Sequence, residues 1–127
     1  MKLRDWDGHL ISISRIQNRE GIDVSWLRLR GMVRGTTASD FQTRLKEAGM
    51  RAPFLVVDLA ELDYLNSAGL GMLLFQAEAQ QRRGGWLRIV APSSAVAMIL
   101  RLSGVAETLP LFVDAEGALR DLPTLAA

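Results

Sequence analysis

Residues 54–75 read Phe54-Leu55-Val56-Val57-Asp58-Leu59-Ala60-Glu61-Leu62-Asp63-Tyr64-Leu65-Asn66-Ser67-Ala68-Gly69-Leu70-Gly71-Met72-Leu73-Leu74-Phe75, and the period of their pattern changes in the middle. Phe54 to Leu59 are apolar on both parities up to Asp58, which is how a strand buried on both faces reads. Leu70, Leu73, Leu74 and Ala77 then fall at i, i+3, i+4 and i+7, the spacing of a helix that lays one face on a sheet. Between the two, Asn66 or Ser67 is the natural N-cap, and Gly69 and Gly71 let the first turn approach a neighbour closely. The Ser67 hydroxyl is therefore expected at a helix N-terminus, at one end of the sheet. Two roles fit it there. As a cap, its loss to alanine costs about 1 kcal/mol. As a site of added charge, it lies where unpaired N–H groups and partial positive charge tolerate a phosphate, whose negative charge is felt by whatever docks.

Downstream, Gln80 to Gly85 ends the second helix with cations and then glycines. Trp86 to Ala91 is the next strand, and Pro92-Ser93-Ser94 starts a helix in which Val96, Ile99, Leu100 and Ser103 share a face, closed by Gly104. Met98 and Leu102 lie on another face, which either sits under the C-terminal segment, the favoured reading, or exposes a patch for a partner. Leu109 to Val113 is a last short strand, and Asp114 caps a terminal helix ended by Pro123. Upstream, Thr37 or Ser39 caps a first helix with Ala38, Phe41, Leu45 and Ala48 on one stripe and Gly49 as its stop. Val24 to Val33 alternates, with Leu27 and Leu29 on one side and Trp26, Arg28 and Arg30 on the other, and reads as an outer strand whose arginine stems shield the tryptophan. Leu10 to Ile16 forms a hairpin with it through the turn chemistry of Asn18 to Asp23.

These elements predict a single α/β domain over residues 1–127, with a mixed sheet of four to five strands and about four helices, largely on one face. Residues 1–8 and 123–127 are read as irregular tails.

Composition narrows the function. Fifteen Lys and Arg against fourteen Asp and Glu leave no net field that favours nucleic acid. With no cysteine and one histidine, His9, neither a thiolate nor a histidine metal cluster can form, and no cofactor is expected. The N-terminus lacks the apolar core of a secretory signal, and no run of about 20 apolar residues is available to cross a bilayer, so a cytoplasmic protein is expected. Leu65 stands where a nucleophile elbow needs glycine, Leu74 interrupts the glycine fingerprint begun by Gly69 and Gly71, and no Walker lysine follows a glycine loop. The chain is read as a non-enzyme. Asp58, Glu61 and Asp63 are read as a solvated acidic rim that steers a basic partner rather than as a Mg²⁺ site.

Asn66-Ser67-Ala68-Gly69-Leu70-Gly71, after a hydrophobic strand and an acidic loop, resembles the signature of STAS domains of the bacterial anti-sigma factor antagonist type. The order of elements from about residue 8 to residue 122 matches as well, including Ser103-Gly104 before the last strand. The resemblance implies that Ser67 is phosphorylated by a partner that is both anti-sigma factor and serine kinase. It also implies a partner surface of Asp63, Asn66, Ser67, Ala68, Gly69, Leu70 and Met72, with Arg34 and Thr36 from the preceding loop. Two departures stand out. Asn66 occupies a position where the family most often has aspartate, and Gly31 is followed by Met32-Val33-Arg34 where an acidic residue commonly follows the glycine. They motivate an alternative: a subunit that is not phosphorylated and docks on another assembly, such as the ATPase of a lipid-transporting ABC system.

Overall fold

The computed structural model describes residues 2–6, 9–17, 21–35, 37–105 and 107–120. The strands are β1 (Lys2–Trp6), β2 (His9–Gln17), β3 (Asp23–Val33), β4 (Phe54–Leu65), β5 (Trp86–Val90) and β6 (Leu111–Phe112); the helices are α1 (Thr37–Arg51), α2 (Ser67–Arg82), α3 (Ser94–Leu102) and α4 (Ala115–Leu119). The strands lie in chain order in one mixed sheet, β1 to β3 antiparallel and β3 to β6 parallel. The fold class is as expected, but the sheet has six strands. The extra edge strand is β1, which pairs with β2 where residues 1–8 read as irregular. Residues 123–127 lie outside the described ones.

Helices alternate with the parallel strands because each such connection must cross the sheet. Strands that add in one direction bring successive crossovers to the same side. Leu27, Leu29, Leu55, Val57, Leu87 and Ile89 accordingly pack with Phe41 and Leu45 of α1, Leu73 and Ala77 of α2, and Val96 and Leu100 of α3. On the opposite face Val24, Phe54, Val56 and Val90 pack with Ala118 of α4. Arg88 holds that fourth helix: its guanidinium sits 4.0 Å from the Trp86 ring centroid and donates to the Ala118 carbonyl at 2.6 Å. β4 is thus buried on both faces, as its run of apolar residues predicts. β3, expected as an outer strand, lies between β2 and β4. Trp26 is half-buried against the second cluster, and Arg28 pairs with Asp58 at 3.3 Å.

Two further expectations change. Gly49 does not stop α1, which continues to Arg51. A side chain at position 49 would run into the amides of Gln76 and Gln80 on α2, so glycine here permits two helices to approach. Those amides form a buried pair in which Gln76 Nε2 donates to Gln80 Oε1 at 2.7 Å and Gln80 Nε2 donates to the carbonyls of Ala52 and Pro53 at 2.9 and 2.8 Å. Met98 and Leu102 are not covered; they are 61% and 81% exposed.

Candidate functional site

The residues from Asp58 to Leu65, read as a strand end and an acidic loop, continue β4 in irregular register. Arg28 faces Asp58 but Arg30 faces Glu61, and Gly31 faces Leu62 but Met32 faces Tyr64, so β4 carries an extra residue at each shift. Such bulges re-aim side chains. Leu59, Leu62 and Leu65 are buried at every third position, while Ala60, Glu61, Asp63 and Tyr64 are exposed. The Asp58 carboxylate is used locally: Oδ1 accepts the Ala60 N–H at 3.0 Å and Oδ2 accepts Arg28 Nε. No group of three or more His, Cys, Asp or Glu among the described residues could hold a metal ion.

β3 and β4 end side by side, with Val33 opposite Leu65. The Asn66 N–H donates to the Val33 carbonyl at 3.1 Å, which fixes Asn66 in an extended conformation with φ −82° and ψ 175°. From there its Oδ1 accepts the Gly69 N–H at 2.8 Å. Asn66 is therefore the N-cap, and Ser67 is the first residue of the helix. The Ser67 hydroxyl is exposed and has no hydrogen-bond partner among the described residues. The first turn of α2 contains no acidic side chain. A free hydroxyl thus stands beside unpaired N–H groups, outside the carboxyl ends of parallel strands, where open α/β sheets present their binding sites.

The neighbouring loop is held by Thr37. Its hydroxyl lies 2.9 and 2.7 Å from the carbonyls of Met32 and Arg34 and accepts the Arg34 N–H at 3.1 Å. Arg34 is exposed beside the start of α2, one residue after the Val33 that receives Asn66. Of the residues expected at the partner surface, Asp63, Ser67, Ala68 and Arg34 are exposed, and Asn66, Leu70 and Met72 are half-buried. Gly69 is buried: a Cβ there would lie 2.5 Å from Leu65 Cδ1 and 2.8 Å from Val33 Cγ1. Thr36 lies outside the described residues. Gly71, expected to pack closely like Gly69, faces open space.

Sequence reasoning missed two aromatic residues on this surface, Phe75 at 62% exposure and Tyr64 at 42%. Phe75 follows Gly71 and Ser67 at i+4 and i+8, one line along α2 off the core stripe of Leu70, Leu73, Leu74 and Ala77. That offset was the signal available in the sequence. The Tyr64 signal was hidden, because a bulge breaks the two-residue period that assigns faces.

Comparison with known proteins agrees with this layout. A family model described as "Mlab, STAS domain" matches residues 16–114. The anti-sigma-F factor antagonist RsfA of Mycobacterium tuberculosis is 34% identical over 83 residues, a match that spans 65% of this chain and 65% of that relative. An anti-sigma F factor antagonist of Paenibacillus polymyxa is 26% identical over 98 residues, covering 76% of this chain and 84% of its own. The crystal structure of an anti-sigma factor antagonist from Mycobacterium paratuberculosis superposes with a TM-score of 0.72 at 25% identity, covering 87% of this chain and 92% of that one. A sheet in chain order with a Ser-bearing helix start at the end of its central strand, together with a family match over residues 16–114, leads to one conclusion: the chain belongs to the STAS domain family.

Proposed function

We propose that this domain is an anti-sigma factor antagonist. Its partner, an anti-sigma factor that is also a serine kinase, docks over the start of α2 and is released when Ser67 is phosphorylated. The observation that carries this reading is the division of labour at the helix start: Asn66 takes the cap, which leaves the Ser67 hydroxyl exposed and unbonded among the described residues. The names of the relatives support the partner class.

A phosphate on Ser67 adds about −1.5 to −2 charges. The helix N-terminus accommodates them within the domain, whereas a desolvated interface with a partner does not. The domain is then not an enzyme: Ser67 receives the phosphoryl group and the partner supplies the chemistry. This role places it in the cytoplasm with the transcription machinery. Exposed Arg34, in a loop whose opening glycine the family commonly follows with an acidic residue, favours an acidic group opposite it on the partner, beside basic groups opposite exposed Glu61 and Asp63.

The test is titration of the cognate anti-sigma factor against wild-type protein, Ser67→Ala and Ser67→Asp, with mass spectrometry of the peptide spanning Asn66 to Leu70. Ser67→Ala should bind like wild type, and Ser67→Asp at least about tenfold more weakly. Equal binding by both variants rejects the switch. Co-purification with a transporter ATPase instead of the anti-sigma factor would establish the alternative of a docking subunit that is not phosphorylated.

A further inference from the structure

β5 ends at Val90, and the next residue, Ala91, has φ 49°, in the left-handed region that favours glycine. The Ala91 N–H is held to the Phe112 carbonyl at 2.7 Å, so the unusual conformation is fixed where β5 and β6 end together. Outside these strand ends lies a cavity of about 370 Å³, walled by Ala91, Pro92, Ala97, Leu111 and Phe112. That volume is at the lower end of small-molecule sites, roughly 300–1,000 Å³. Backbone conformations of this kind cluster at binding sites, and parallel sheets bind ligands outside their carboxyl ends.

Among the described residues the cavity has a single charged lining residue, Arg101 of α3. Its guanidinium has no ion-pair or hydrogen-bond partner among the described residues, whereas Arg28, Arg44, Arg82 and Arg120 each have a carboxylate within 4.0 Å. A guanidinium is a planar fork that matches one carboxylate with two parallel hydrogen bonds. One cation beside a wall whose other described residues are uncharged complements one negative charge; a phosphate dianion would be left half-neutralised. We infer that this cavity binds a small organic carboxylate, its apolar body against Ala97, Leu111 and Phe112 and its carboxylate on Arg101. The site is separate from the Ser67 surface, and its test does not involve the anti-sigma factor.

The probe is 3-phenylpropionate, titrated into the full-length protein and followed by amide NMR shifts. Shifts should concentrate at Ala91, Ala97, Leu111 and Phe112, with a dissociation constant on the order of 1 mM. Arg101→Met, at an exposed position where folding is checked from the unchanged remainder of the spectrum, should weaken binding about tenfold or more, as should replacing the probe with 3-phenylpropionamide. The proposal is overturned if these amides do not shift up to about 10 mM probe. It is equally overturned if the amide analogue or the Arg101 variant binds like the original pair, or if phenyl phosphate binds more tightly than the carboxylate.

Discussion

The Ser93 hydroxyl donates to the Leu62 carbonyl at 2.7 Å, fastening the start of α3 to the bulged end of β4. The same oxygen accepts the Val96 N–H at 3.4 Å as the α3 cap, and the Ser93 N–H donates to the Leu59 carbonyl at 3.3 Å. Ser93→Ala removes the cap, worth about 0.5–2 kcal/mol. It also leaves the carbonyl of buried Leu62 without this donor, at about 1–3 kcal/mol. A loss of about 2 kcal/mol in urea unfolding is expected, whereas Ser94→Ala, at an exposed position, should stay within about 0.5 kcal/mol. Equal effects of the two would show that the β4 tie carries no stability.

Asn66 and Ser67 should respond unequally to substitution. Asn66→Ala should cost about 1 kcal/mol, while Asn66→Asp keeps the cap and gains from the helix dipole by up to about 1 kcal/mol. Ser67→Ala should change stability by less than about 0.5 kcal/mol. Chemical denaturation of the three variants decides it: a cost at Ser67 equal to that at Asn66 would return the capping role to the serine.

The two glycines of the motif separate in the same way. Gly69→Ala pushes a methyl into Leu65 and Val33 and should destabilise by about 1–3 kcal/mol. Gly71→Ala enters open space on a helix and should stabilise by about 1 kcal/mol. Thermal melts of the pair test this, and a loss at Gly71 as large as that at Gly69 would contradict the packing.

Phe75 is exposed on the line that runs from Ser67 through Gly71. Exposed aromatics of this kind are typical anchors of protein interfaces. Phe75→Ala should leave stability within about 0.5 kcal/mol yet weaken the proposed binding to an anti-sigma factor by about tenfold or more, read by calorimetry. Unchanged affinity would place the partner elsewhere on the domain.

By itself the sequence determined the strand-to-helix change at residues 54–75, the two-sided burial of β4, the core stripes of α1 and α2, and the hairpin of β2 and β3. Those features rest on local periods of 2 and 3.6 residues and on cap and turn chemistry, all of which a single chain segment carries. Tertiary structure decided which of two adjacent residues caps α2, because the choice depends on the hydrogen bond from Asn66 to Val33, a residue distant in sequence. It also decided that Gly49 lets α1 and α2 approach rather than ending α1, through the Gln76 and Gln80 amides. Finally, it placed Tyr64 at the surface, because the bulges in β4 arise from pairing with β3 and shift the period that would have revealed the face. Contacts between distant segments set register and helix approach, and no local pattern encodes them.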